Sequence, residues 1–174
     1  FLKKFLHKIN SYNCNIDIKR FDPDILHTTY YENYDYTPNK RLKKIVTVFD
    51  LINEKFNDIF YRNKLKYQKK KILDIADKII CISNNTKNDL LNFYNVDEKK
   101  ISVVHLGYPK KKTYLKKIFN FPYILFVGTR WKYKNFNKLL EAISISKQIR
   151  DNFFLVAFGG GKFNKYEKEL IKKY

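Results

Sequence analysis

Continuous apolar runs, separated by stretches with helical spacing, constrain the fold of this chain more than any other feature. The runs are KIVTVFDL, DKIICIS, KISVVHLG, PYILFVG and NFFLVAF, and a shorter one begins at Ile25 and Leu26. Parallel strands that helices cover on both sides have this composition, because neither face of the sheet meets water. The alternation of such runs with helical segments predicts an α/β fold built on parallel sheets.

The segments between the runs predict the helices. Residues from Ile59 to Ala76 and from Asn135 to Ile149 have helical periodicity, and FLKKFLHKI at the start of the chain has an apolar stripe. Thr86 is predicted to cap a helix in NTKNDLLNFYNV, and a last helix follows the three glycines that end at Gly161.

A basic segment that contains a proline divides the chain. Residues 108–121 have no clear period, and we predict an interdomain linker there. One α/β unit is predicted over residues 1–107 and another over residues 122–174, with a cleft between their strand ends. The chain opens with Phe1 and ends inside the helical sequence KYEKELIKKY, so we expect both units to be incomplete parts of a longer protein.

The net charge of +19 leaves two interpretations open. It is typical of proteins that contact nucleic acid or an anionic membrane surface, and it also follows from A/T-rich codons, which encode the abundant Lys, Asn, Ile, Tyr and Phe. The run from Lys64 to Lys71 is predicted to be a solvated helix face, because no aromatic residues alternate with it as a stacking platform. No apolar run approaches the ~18 residues of a membrane span. The two cysteines, Cys14 and Cys81, predict neither a disulfide framework nor a metal site, which fits a reducing cytoplasm.

Polar residues follow the apolar runs where ligands of such sheets bind, beyond the carboxyl ends of the strands. We take His27 and Asp50 as the catalytic candidates, and we expect Phe49, Ser83 and Gly160 to line the cleft.

The segment FVGTRWKYKN predicts a diphosphate site. Gly128 permits a tight turn near a ligand, and the following helix directs its positive end at the same place. Arg130 supplies a planar fork of donors and Lys134 a mobile charge. Cations in these positions stabilise a leaving diphosphate without a metal ion. The alternative is that Arg130 and Lys134 are two surface cations of a basic protein.

Several segments resemble glycosyltransferase family GT4, in the order of that family. They are DPDILHTTYY, IVTVFDLINEKF, ADKIICISNNTKNDLLNFYNVDEKKISVVHLG, ILFVGTRWKYKNFNKLLEAI and FGGGKFNKYEKEL, and they span most of the chain from about Asp22. The resemblance implies the GT-B fold, in which two Rossmann-type domains enclose a cleft. The matching arginine and lysine of the family contact the donor's diphosphate, which favours that role for Arg130 and Lys134.

The resemblance further implies a retaining, metal-independent hexosyltransferase with no cofactor. The donor would be a nucleotide sugar, and the acceptor a glycan or a lipid-linked sugar of cell-surface polysaccharide synthesis, lipopolysaccharide included. The closest likeness is to members that transfer mannose or related sugars. The protein is therefore expected in the cytoplasm, with a possible peripheral contact at the inner face of the membrane.

Two features depart from the family pattern. Phe49 stands where many members carry a histidine before the aspartate, although an aromatic ring can pack against a sugar and His27 keeps a polar group in the same region. The family's glycine-rich loop and its Glu-x7-Glu motif would lie before Phe1 and after Tyr174, so this part alone is expected to be inactive. A non-catalytic GT-B-like binding protein is one alternative. A basic nucleic-acid-binding module is another, but the chain lacks a recognition helix.

Overall fold

The computed structural model describes residues 2–31, 41–56, 63–108 and 118–174. Internal contacts divide the chain into two compact units, Phe1–Pro109 and Lys110–Tyr174. Residues 109–117 of the predicted linker lie outside the described part, so the linker and the exact domain bounds stay predictions. So does the cleft.

The first unit is a four-stranded sheet with helices along it. Its helices are α1 (Leu2–Phe21), α2 (Ile52–Lys55), α3 (Asn63–Ile75) and α4 (Asn84–Phe93), and a 3₁₀ turn spans Glu98–Lys100. Its strands are β1 (Ile25–Thr28), β2 (Lys43–Val48), β3 (Lys78–Cys81) and β4 (Ile101–Val103). The strands lie in the order β1-β2-β3-β4 and all pairs are parallel. The predicted parallel α/β architecture is therefore confirmed for this unit.

The core of the first unit lies between the two central strands and the helices α3 and α4. Three successive residues of β2, Val46 to Val48, are buried, which is possible only because both faces of the strand are covered. The core residues are Tyr31, Val46, Val48, Leu51, Ile72, Leu73, Ala76, Ile79, Cys81 and Leu90. Burying each large aliphatic side chain contributes about 1.5–3 kcal/mol, so this cluster fixes the strand ends that bear the candidate site.

The described residues of the second unit, 118–174, form two parallel strands and three helices. The strands are β5 (Tyr123–Val127) and β6 (Phe154–Phe158). The helices are α5 (Phe136–Ile145), α6 (Lys147–Asn152) and α7 (Lys165–Lys173), and a 3₁₀ turn spans Lys132–Lys134. Phe136 is buried, and its ring packs edge-on to Phe126 at a centroid distance of 5.0 Å. The outward side chains of this sheet, including Val127 and Phe158, are exposed.

Two helix boundaries differ from the prediction. Ser83, not Thr86, caps α4, because the Ser83 side chain in an extended residue accepts from the Thr86 amide at 3.1 Å. The Thr86 hydroxyl is buried and donates instead to the Phe49 carbonyl. The single helix predicted from Asn135 to Ile149 is two helices, because Ser146 adopts an extended conformation and its side chain caps α6.

Other elements differ in length. Helix α1 extends well past FLKKFLHKI to Phe21, α2 was not predicted, and β4 is shorter than the predicted strand KISVVHLG. Helix α3 begins at Asn63, whereas the first residues of its predicted range, 59–62, lie outside the described part. Among the residues that the structure describes, no helix combines the length and the apolarity needed to cross a membrane.

Candidate functional site

His27 lies near the carboxyl end of β1 and is exposed. Its ring atom Nε2 is 2.8 Å from the hydroxyl oxygen of Thr47 in the neighbouring strand β2. This hydrogen bond fixes the orientation of the ring, and the tautomer decides which of the two atoms donates. The structure therefore brings His27 together with Thr47 in one hydrogen bond.

A cavity of about 420 Å³ lies beside His27, between α1 and the end of β1. That volume lies in the range of small-ligand pockets. Its lining residues are Cys14, Asp17, Ile18, Leu26, His27, Thr28, Thr29 and Tyr30. The exposed imidazole and the three hydroxyl-bearing side chains in its wall can form hydrogen bonds with a polar ligand such as a sugar.

Asp50 lies two residues after the end of β2, and its side chain forms a local hydrogen bond. The carboxylate atom Oδ1 accepts from the backbone amide of Ile52 at 3.1 Å, at the start of α2. The preceding residue, Phe49, keeps 39% of its surface exposed. Both residues thus lie at the same strand end, as the sequence predicts, and both reach solvent.

The backbone of Phe49 and Asp50 is held by side chains of two different helices. The Thr86 hydroxyl of α4 donates to the Phe49 carbonyl at 3.2 Å. The Lys69 ammonium of α3 donates to the Asp50 carbonyl, also at 3.2 Å. Ser83 is the third residue predicted at this edge. Its hydroxyl oxygen accepts from the Thr86 amide and so caps α4.

Lys69 belongs to a buried lysine cluster, formed by Lys69, Glu54, Tyr94 and Tyr31, that the sequence analysis missed. The Lys69 side chain is 1% exposed and forms a 3.0 Å ion pair with Glu54. Tyr94 donates to the other carboxylate oxygen of Glu54 at 2.6 Å, and the Tyr31 ring centroid lies 4.8 Å from the ammonium nitrogen. The prediction of a solvated Lys64–Lys71 face is therefore wrong for Lys69.

The tyrosines of this cluster stay protonated. Burial raises the pKa of Tyr94, and the hydrogen bond to the Glu54 carboxylate raises it further. Burial also raises the pKa of Tyr31, with the charges of Asp50 and Glu54 adding to the effect. Tyr94 is therefore a neutral donor to Glu54.

In the second unit, Arg130 is fixed by the turn that follows β6. Its side chain is 3% exposed, and its Nε atom donates to Glu167 at 3.0 Å. Its ring neighbours are Phe163 and Phe136, whose centroids lie 4.4 and 5.9 Å from the guanidinium carbon. The two Nη atoms donate to the carbonyl oxygens of Gly159, Gly160, Gly161 and Lys162.

Side chains at Gly159 and Gly160 would crowd neighbouring atoms in this turn. Gly160 has φ +74°. A Cβ atom there would lie 3.1 Å from Nη1 of Arg130. At Gly159 a Cβ would lie 3.0 Å from the carbonyl oxygen of Gly128, whose amide bonds the end of β6. The turn therefore packs directly on the segment that follows β5.

Glu167 has two partners, neither of which the sequence analysis identified. Its carboxylate pairs with Arg130 and also accepts from the Asn164 amide at 2.8 Å, completing the capping box of α7. Burial alone would raise the pKa of Glu167, but the hydrogen bonds from Arg130 and Asn164 and the charge of Arg130 outweigh burial and lower that pKa. Glu167 is thus a charged partner that holds Arg130.

Lys134 differs from Arg130 in being exposed. It ends the 3₁₀ turn, and its ammonium nitrogen lies 5.2 Å from the ring centroid of Tyr133. Helix α5 follows at once, after Asn135 with φ +56°, and its first turn has no acidic residue. The head of α5 and the Lys134 charge therefore lie next to each other along the chain, as predicted.

Across the described ranges, no group of three or more His, Cys, Asp and Glu side chains could hold a metal ion. The expectation of a reaction without metal or cofactor stays a prediction.

Comparison with known protein families gives two matches. The profile of Glycosyltransferase Family 4 matches residues 9–112, and that of Glycosyl transferases group 1 matches residues 109–174. No curated protein matches the chain. Glycosyltransferases of these families have the GT-B architecture, in keeping with the parallel sheets of both units. Because the first profile covers more than half of the chain, the protein belongs to glycosyltransferase family 4.

Proposed function

We propose that this protein is a retaining hexosyltransferase of cell-surface polysaccharide synthesis, which moves a sugar from a nucleotide-sugar donor to a glycan or lipid-linked acceptor. Sugar transfer itself follows from the family. The observation that carries the finer proposal is the exposed Lys134 charge next to the head of α5, close in sequence to the Arg130 guanidinium. These groups suit a donor diphosphate.

On the donor side, Lys134 makes the first contact with the diphosphate. Its side chain is exposed, and the adjacent helix start adds positive potential without a nearby carboxylate in the first turn. Arg130 contacts the diphosphate only if phosphate oxygens replace some of the turn carbonyls that its Nη atoms now bind. As the sugar bond breaks, charge grows on the leaving diphosphate and both contacts strengthen, so the reaction needs no metal ion.

On the acceptor side, His27 and Asp50 orient the sugars. Because Asp50 Oδ1 is engaged by Ile52, its other carboxylate oxygen accepts a hydrogen bond from an acceptor hydroxyl. The imidazole of His27, held by Thr47, bonds a second sugar hydroxyl, and the exposed Phe49 ring packs against the apolar face of a sugar.

The test uses the full-length protein that contains residues 1–174, because this part alone is expected to be inactive. It measures release of nucleoside diphosphate and transfer of label from a panel of radiolabelled UDP-, GDP- and ADP-hexoses, with and without EDTA. We expect turnover with at least one donor, unaffected by EDTA. Lys134→Ala should lower turnover, whereas the matched variant Lys132→Ala, an exposed lysine of the same 3₁₀ turn, should leave it unchanged. Donor binding without transfer in every case would support the alternative, a non-catalytic binding protein, for which Phe49 is the supporting feature.

We further propose that the protein works in the cytoplasm against the inner face of the membrane. The net charge of +19 draws it to anionic lipid, and Lys64 and Lys71 of α3 are exposed. Binding to phosphatidylglycerol vesicles should fall as salt rises, because charged contacts beyond ~10 Å are screened at ~0.1 M ionic strength. Binding that is insensitive to salt, or equal on neutral vesicles, would contradict this placement.

A further inference from the structure

The buried lysine cluster lies behind the candidate catalytic segment and has no role in the proposed function so far. Moving an ammonium group out of water is costly unless it is paired and hydrogen-bonded. Lys69 meets this condition with two acceptors, a Glu54 carboxylate oxygen at 3.0 Å and the Asp50 carbonyl at 3.2 Å. The ammonium therefore ties α3 to the backbone directly after β2.

The hydrogen bond from Lys69 is one of two that side chains donate to consecutive backbone carbonyls. Thr86 holds the Phe49 carbonyl from α4, and Lys69 holds the Asp50 carbonyl from α3. Two residues after Asp50, the Ile52 amide donates to the Asp50 side chain at 3.1 Å. Because this stretch lies past the sheet ladder, side chains supply the hydrogen bonds that a strand neighbour would otherwise give. The direction of the Asp50 carboxylate thus depends on the hydrogen bonds from Thr86 and Lys69, which we call the two clamps.

Stability alone does not account for a lysine at this position. Its neighbours on the inner face of α3, at helical spacing, are Leu65, Ile72 and Leu73. A hydrophobic residue fits such a stripe, and replacing a buried ion pair with apolar groups is often neutral or stabilising. What an apolar side chain cannot supply is a donor to the Asp50 carbonyl and a charge that fixes Glu54.

We propose that Lys69 is a positioning residue for sugar transfer, which sets the orientation of Asp50 and Phe49 through the Asp50 carbonyl and the Glu54 carboxylate. This inference rests on the proposed function, because it assigns Asp50 and Phe49 to the acceptor side. Lys69 itself does not touch substrate. Its loss should therefore lower the rate of the chemical step while donor affinity, which belongs to the other unit, stays the same.

The test compares Lys69→Met with the double variant Lys69→Met/Glu54→Gln. The single variant leaves the Glu54 carboxylate buried without its cation, so it should unfold at a lower temperature. The double variant removes that charge and should recover most of the thermal stability. Lys70→Met is the matched control, because Lys70 is the next residue of α3 but pairs in solvent with Asp74.

In the double variant we expect kcat to fall roughly tenfold to a hundredfold while KM for the radiolabelled nucleotide hexose stays near the parent value. If Lys69 served only to balance Glu54, kcat would recover together with stability, and that result overturns the proposal. Should the double variant not fold, Thr86→Val removes the other clamp with little change in volume. It should lower kcat in the same direction, and parent-like kcat would count against the clamp.

Amide hydrogen exchange separates failure of this inference from failure of the proposed function. The Ile52 amide donates to the Asp50 carboxylate and the Lys55 amide donates to the Leu51 carbonyl, and these hydrogen bonds protect both amides from exchange. They should exchange faster in the double variant than in the parent, and at the parent rate in Lys70→Met. A parent that transfers no sugar contradicts the proposed function, yet faster exchange still supports the clamp. Unchanged exchange in the double variant overturns the clamp whatever the activity.

Discussion

Replacing Arg130 with alanine tests both its proposed contact with the donor and its hold on the glycine turn. The side chains of Arg130 and Glu167 are 3% and 10% exposed, and their ion pair is 3.0 Å long. Removing one partner of a buried pair costs about 3–5 kcal/mol, because the other charge stays buried. Water can solvate the exposed carbonyls of the glycine turn, so we expect the lower end of that range. Thermal unfolding followed by circular dichroism measures the loss.

The variant Arg130→Ala should also lose turnover, and the two effects must be separated. A lost contact to a developing anion costs about 2.7–4 kcal/mol, on the order of a hundredfold to a thousandfold in rate. The double variant Arg130→Ala/Glu167→Gln removes the unpaired carboxylate but keeps a side chain that can cap α7. We expect it to recover part of the stability and none of the turnover.

Three outcomes would refute this account. If Arg130→Ala folds normally and transfers label from the radiolabelled donor at the parent rate, Arg130 has no phosphate role. If the double variant recovers turnover with stability, Arg130 acts only by holding the glycine turn. If Arg130→Lys restores full activity, the planar fork is unimportant, because an ammonium group cannot bind both a carboxylate and several carbonyls in that geometry.

The other predictions concern the glycine turn and acid stability. Gly160→Ala and Gly161→Ala each place alanine at a left-handed φ, which costs about 1–2 kcal/mol, but only the Cβ at Gly160 approaches Arg130. Donor turnover should therefore fall further in Gly160→Ala, and equal losses would show that the contact is unimportant. The hydrogen bond from the Lys44 amide lowers the pKa of Asp77 despite some desolvation, so its stabilising effect is present at neutral pH and is lost as pH falls through that lowered pKa. Urea unfolding from pH 7 downward should show a smaller acid loss for Asp77→Asn than for the parent, and identical losses would contradict this assignment.

The sequence predicts the sheets well because a strand that is buried on both faces has a continuous apolar run in its local sequence. The predicted run KIVTVFDL has no regular polar alternation, and the structure places the inner strand β2 over Lys43–Val48. Residues at strand ends are likewise predictable, since a buried run must end where polar residues begin. His27, Asp50 and Arg130 therefore follow or close their strands as expected, whereas their roles in catalysis stay predictions.

The side-chain partners of His27 and Arg130 were not predicted, because they are distant in sequence. Glu167 is separated from Arg130 by 37 residues, and no local pattern links them. Part of the signal was present: Asn164 and Glu167 have the spacing of a capping box, which marks the start of α7. Lys69 was assigned to solvent because of its lysine neighbours, although its spacing from Ile72 and Leu73 places it on the apolar face.

Both units use a buried acid to fix a buried cation beside a predicted site. Glu54 pairs with Lys69 in the first unit, and Glu167 pairs with Arg130 in the second. The chain has 36 lysine and arginine residues but only 17 aspartate and glutamate residues, so carboxylate partners for buried cations are scarce. The scarce acids therefore matter more for geometry than the abundant lysines do. Since electrostatic catalysis depends on groups that need no reorganisation during the reaction, neutralising Glu54 or Glu167 should harm turnover more than neutralising an exposed lysine such as Lys70.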